Sequence, residues 1–128
     1  MQSIDEALAK LEKSKFRSSF HLKKADIEYI DKKGMDTVKR HAAEIISKRL
    51  APAVIANDGA QTPTHGHPVF VAQHACACCC RGCLEKWYKV PRKTELTKTQ
   101  QEKTVALLCE WISREYNSYR EKNNGKEN

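Results

Sequence analysis

Five of the six cysteines fall between Cys76 and Cys83, inside the run VFVAQHACACCCRGCLEKWY that spans Val69 to Tyr88. Thiols at that density oxidise or capture metal unless the fold occupies or shields them. The rest of the chain shows how it can do so. Residues 51–80 contain one formal charge, Asp58, whereas residues 1–50 carry twelve Lys/Arg against eight Asp/Glu and residues 81–128 carry eleven against seven. A segment of thirty residues that is nearly chargeless belongs inside, with the two charged flanks folded around it. The whole chain of 128 residues, 40% hydrophobic, suffices for one domain with one core and is too apolar to be wholly disordered.

The flanks read as helices. Ser3 and Glu6 form a capping box, and Ile4, Leu8 and Leu11 recur at helical spacing, which predicts a helix over 4–15. Residues 16–22 break the pattern and read as a connector, anchored by Phe16 and Phe20, with His21 as a packing residue. A short helix is expected over 24–33, with Ile27 and Ile30 inward and Gly34 at its left-handed end. Asp36 can cap the next helix, whose apolar stripe is Val38, Ala42, Ile45, Ile46 and Leu50. Thr97 and Gln100 form a second capping box before a last helix. Val105, Leu108, Trp111, Ile112 and Tyr116 make its core stripe, and Cys109 is most simply a core residue. The polar end after Arg120 has no apolar residue and is expected to be unstructured. The domain is thus residues 1–120, mainly α, about five helices, with a central Cys/His-rich loop-helix motif.

Between the flanks, residues 51–68 hold three of the four prolines and two of the five glycines, a loop by composition. Its length and lack of charge favour a pocket, with Asn57, Asp58, Gln61, Thr62 and His65 as lining groups, over an ordinary surface loop. Val69-Phe70-Val71 fits either a helix opened by Pro68 or a short strand. A further helical turn or two is expected over 83–88, ended by Pro91.

Cys76-Ala77-Cys78-Cys79 and Cys80-Arg81-Gly82-Cys83 are consecutive C-x-x-C units. That spacing lets both sulfurs of a unit reach one metal. Zinc takes four Cys/His ligands in a structural site; Cys80, Cys83 and His74 can supply three, and Cys79 or His67 a fourth. Metal binding ranks first. Buried free cysteines packed as small hydrophobes rank second, a redox pair at Cys80/Cys83 third, and an iron–sulfur cluster fourth, because the spacing is too tight for its usual ligand patterns.

The N-terminal MQSIDEALAKLEKSK lacks the basic-then-apolar order of a secretory signal, and no apolar run approaches bilayer length. A cytoplasmic protein with reduced thiols and no membrane partner is expected, where clustered cysteines mean metal or redox chemistry more than disulfides. The net charge of +7 suits a nucleic-acid or nucleotide partner as well as it suits a merely solvated surface. Arg17, Arg81 and Lys86 are the candidate anion-binding groups. Two other functions stay open: a small metal- or thiol-dependent enzyme with a pocket formed by the 57–67 loop and His74, and a C-x-x-C redox protein. No nucleophile, general base or phosphate loop is specific enough to name a catalytic residue.

The run Gly66-His67-Pro68-Val69-Phe70, followed by Ala72-Gln73-His74-Ala75, Cys79-Cys80-Arg81-Gly82-Cys83-Leu84 and Lys86-Trp87, resembles the domain-of-unknown-function family 4186. Phe16-Arg17, Phe20-His21-Leu22, Asn57-Asp58-Gly59, Gln61-Thr62-Pro63 and Leu96-Thr97 fit the same pattern. The resemblance spans roughly residues 16–112 and supplies no activity. It implies threonines where this chain has Cys76 and Cys78, a histidine at Tyr88 and an arginine at His65. A shared site would then draw on Cys79, Cys80, Cys83, His74 and His67, with Cys76 and Cys78 incidental.

Overall fold

The computed structural model describes residues 3–56, 60 and 62–127. Local capping sets most helix boundaries. Ser3 caps α1 (Ile4–Lys13): its hydroxyl oxygen accepts the Glu6 N–H at 3.2 Å, and its O–H donates to the Glu6 carboxylate at 3.2 Å. Ala7, Leu8 and Leu11 turn inward from it. A 3-10 turn at Arg17–Ser19 leads on, and here the connector departs from expectation. Phe20 packs against the core, but Phe16 lies exposed, and His21 is a surface group 3.2 Å from the Glu115 carboxylate.

In α2 (Lys24–Lys33) the Asp26 carboxylate accepts the Lys23 N–H at 3.0 Å, and Ile27 and Ile30 are buried. Gly34, at φ +85°, joins it to α3 (Met35–Ile45) in a backbone conformation that L-residues rarely adopt. Gly34 is therefore the cap of α3 and Asp36 is not; Asp36 sits in the first turn, where a carboxylate meets the positive end of the helix dipole. Val38, Ala42, Ile46 and Leu50 form an unbroken buried stripe at steps of four, carried through a π-helical turn at Ile46–Leu50. That turn closes with the Ala51 N–H on the Ile46 carbonyl at 2.8 Å. Ile45 falls one step off the stripe and is only partly buried.

The apolar run whose type periodicity left open is a helix, α4 (Pro68–Ala75), with Pro68 in its first turn. Val69, Val71, Ala72, Gln73 and Ala75 are all buried, and the helix packs against α2, α3, α6 (Lys98–Glu127) and the 3-10 turn. A helix covered nearly all round needs a sequence without charges, which explains the composition of residues 68–80; the nearly uncharged loop before it does not lie inside as expected, for Val54 and residues 63–66 are exposed. The short α5 (Arg81–Tyr88) starts two residues earlier than the apolar spacing suggests and ends at Lys89 in the left-handed conformation, φ +59°.

The capping box of α6 forms: Thr97 Oγ1 accepts the Gln100 N–H at 3.1 Å and Gln100 Oε1 accepts the Thr97 N–H at 2.9 Å. Thr104, Val105, Leu108 and Ile112 face the core, while Trp111 and Cys109 lie half-buried at its edge. The polar segment after Arg120 continues the helix to Glu127. Tyr116 and Arg120 both bond Asp31, which ties the end of α2 to α6. The fold is thus a single mainly-α domain of six α-helices, with no strand among the described residues. No helix among them is long and apolar enough to cross a membrane.

Candidate metal centre

Three sulfurs converge where α4 hands over to α5. α4 stops at Cys76, and Ala77 takes a left-handed conformation at φ +58°, which costs a non-glycine residue about 1–2 kcal/mol. Surrounding bonds hold the turn. The Cys78 N–H donates to the Gln73 carbonyl at 2.8 Å, the Gln73 side-chain amide donates to the Cys78 carbonyl at 3.1 Å, and the Thr62 hydroxyl donates to the Cys79 carbonyl at 2.9 Å. Cys80 then caps α5, its sulfur accepting the Cys83 N–H at 3.3 Å. The sulfurs of Cys79, Cys80 and Cys83 end within 4.8 Å of one another, with Cys83 at 3.6 Å from Cys79 and 3.0 Å from Cys80.

Arg17, remote in sequence, completes the cluster. Its Nη2 lies 3.3 Å from Cys83 Sγ, and its Nη1 lies 3.7 Å from Cys79 Sγ and 2.7 Å from the His74 carbonyl. The side chain is buried. Burial pulls the guanidinium pKa down, but the hydrogen bonds and charges of Cys79 and Cys83 outweigh it, so the net shift is upward and the cation is held. Burial together with the bond to Cys83 pushes Cys80 up to about 12. Cys76 and Cys78 are fully buried outside the trio, and burial pushes both thiols up. The Tyr88 hydroxyl donates to the Cys76 carbonyl at 2.5 Å, a contact with no sequence signal beforehand.

The two histidines expected as ligands are occupied elsewhere. His74 Nε2 donates to the Thr62 carbonyl at 3.0 Å, and its ring stacks on Phe20 with centroids 5.5 Å apart. His67 caps α4: its Nδ1 accepts the Val69 N–H at 3.0 Å. Since Nδ1 is the acceptor, hydrogen bonding assigns the proton to Nε2, which donates to His41 Nδ1 at 3.1 Å. Neither nitrogen keeps a lone pair for a metal. The Tyr29 hydroxyl also bonds His41 Nδ1, at 3.0 Å. Sequence reading passed over Tyr29 and His41, and nothing in their local spacing marks them, because the bonds cross from α2 and α3 to α4.

The remaining candidates are spread over the fold. Arg81 is buried, and its guanidinium donates to the carbonyls of Leu50, Ala51, Pro52, Pro91 and Thr94 at 2.6–3.4 Å. It clamps the chain on either side of α5. Lys86 is exposed on α5. Thr62 is buried in its bond to Cys79, and Asn57, Asp58 and Gln61 lie outside the described residues. His65 rims a cavity of about 780 Å³ formed with Thr64, Gly66, Asp26 and Tyr29, and His74 does not line it.

The donor set suits a soft divalent ion. Zinc–sulfur bonds near 2.3 Å at tetrahedral angles set sulfurs about 3.8 Å apart. Cys79 and Cys83, at 3.6 Å, already match, while Cys80 must swing outward from 3.0 Å. Three thiolates on a dication leave one negative charge, and Arg17 stands against two of the three sulfurs to offset it. Among the described residues no histidine, fourth cysteine or carboxylate joins the trio.

No solved structure matches the chain. The family model described as "Domain of unknown function (DUF4186)" matches residues 5–113, which takes in the 3-10 turn, α4, the sulfur trio and the core face of α6. By that match the chain belongs to the DUF4186 family.

Proposed function

We propose that the protein is a zinc-binding domain in which Cys79, Cys80 and Cys83 hold the ion and Arg17 balances its charge. One observation carries this reading: three sulfurs from the end of one turn and the start of α5 meet around a buried guanidinium from the far end of the chain. Bound zinc would supply a Lewis-acid centre there. The protein's own groups do the rest. Thr62 and Gln73 fix the turn, Cys80 and Cys83 present two half-exposed sulfurs, and Arg17 seals the buried side. The exposed Lys86, Lys89, Arg92 and Lys93 follow the site in sequence, and a nucleic-acid or nucleotide partner would meet them first, with binding that weakens steeply as salt rises.

Elemental analysis of the purified protein tests the metal. About one equivalent of zinc is expected, absent from Cys83→Ser and retained by the Cys76→Thr, Cys78→Thr double variant. A folded protein without metal overturns the reading, and a double variant stripped of metal reassigns the ligands to the first C-x-x-C unit.

A further inference from the structure

The same trio carries a chemistry that does not need the metal. Cys80 Sγ and Cys83 Sγ stand 3.0 Å apart. Shared zinc holds two sulfurs at about 3.8 Å and a disulfide joins them at about 2.0 Å. The separation of the pair lies between the two. Three donors meet at Cys83 Sγ: the Arg17 guanidinium at 3.3 Å, the Cys80 thiol at 3.0 Å and the Cys79 thiol at 3.6 Å. Cys83 is therefore the sulfur on which the donors of the cluster converge. Its own N–H donates to Cys80 Sγ at the first turn of α5. Cys80 and Cys83 are half-exposed while Cys79 is buried, so an incoming reagent reaches this pair. A Cβ added at Gly82, between them, would make ordinary contact with Arg92 and Cys80 Sγ, both at 3.9 Å.

The geometry points to a thiol–disulfide exchange site at Cys80 and Cys83 that takes low-molecular-weight disulfides, with the internal disulfide and the bound metal mutually exclusive. The Cys83 thiolate attacks one sulfur of the incoming disulfide, the S–S bond breaks, and the first small thiolate leaves. Cys80 loses its proton to that thiolate or to solvent and attacks Cys83 Sγ, which releases the second small thiolate. The protein's two thiols are oxidised to one disulfide, and the small disulfide is reduced to two thiols. Cys79, at 3.6 Å from Cys83, stays a thiol. The inference rests on the sulfur trio and stands or falls separately from zinc.

The test is treatment of chelator-stripped protein with oxidised glutathione, read by thiol titration and peptide mass. Two of the six thiols should disappear, and the peptide holding Cys80 and Cys83 should be lighter by two hydrogens. Cys80→Ser should stop at a mixed disulfide on Cys83, and Cys83→Ser should yield no Cys80 disulfide with a neighbour. Protein loaded with zinc should be protected, and protein oxidised first should no longer take up zinc. Retention of all six thiols in stripped wild-type protein, or pairing through Cys76, Cys78 or Cys109, overturns the inference. A Cys80–Cys83 disulfide in a protein that never binds zinc sinks the metal reading alone. Zinc binding with inert thiols sinks this one alone.

Discussion

Arg17→Leu gives the sharpest test of how the sulfurs are held. The substitution removes two N–H···S bonds, at 3.3 Å and 3.7 Å, together with the buried cation set against two of the trio. The longer contact lies near the limit for a sulfur acceptor, so the loss counts as one good charge-assisted bond and a weak one. A bond to a charged group is worth about 1.5–3 kcal/mol, which at about 1.4 kcal/mol per tenfold is a ~10–100-fold loss of zinc affinity. Partners that orient metal ligands cost about the same when removed. The measurement is a chelator competition titration at fixed pH. Arg17→Lys keeps the charge but offers a point donor in place of a fork, and should fall between wild type and Arg17→Leu. The His74 carbonyl also loses its 2.7 Å donor, at a cost of about 1–3 kcal/mol of fold stability, so the melting temperatures of the metal-free forms must be recorded beside the affinities. Wild-type zinc affinity in a folded Arg17→Leu protein would refute the charge-balancing role.

Two further outcomes follow from the buried polar groups. Arg81→Met removes the guanidinium from five carbonyls, of which Ala51 keeps the Leu96 N–H at 2.9 Å and four lose the Arg81 donor with no other one shown. At about 1–3 kcal/mol for each buried acceptor left unpaired, the loss should exceed about 4 kcal/mol in urea unfolding, and a loss under about 1 kcal/mol would show that the clamp is dispensable. Burial, and then the charge of His41, lowers the pKa of His67 in the fold. The unfolded chain therefore takes up that proton first, so this contribution is complete above pH ~6.5 and is lost as pH falls from there toward the folded pKa, by at most about 1.4 kcal/mol per pH unit. His67→Asn keeps a capping oxygen for α4 and removes the titration; its melting temperature should fall less than that of wild type between pH 7.5 and pH 5, and parallel curves would refute the assignment.

The features legible in the sequence are those that depend on neighbours three or four residues apart. The Ser3 and Thr97 capping boxes, the stripe Val38–Ala42–Ile46–Leu50 and the glycine at position 34 are all local, and the structure shows each as a local feature, whereas of the two C-x-x-C units only Cys80 and Cys83 meet, with Cys79 joining them from the other. The uncharged stretch 68–80 is buried, because a helix covered nearly all round tolerates no charge, but the nearly uncharged loop before it lies largely at the surface, with Val54 85% exposed. Tertiary structure alone decided what each side chain faces. Arg17 reads as a group for an outside anion, yet its guanidinium faces the chain's own sulfurs, more than sixty residues away. Arg81 sits inside the cysteine motif and faces five carbonyls, and His67 and His74 stand beside the motif in sequence but spend their nitrogens on a helix cap and a loop carbonyl. Periodicity fixes which face of a helix is buried. It carries no information about which distant element covers that face, and the chemistry of this site is made by that pairing.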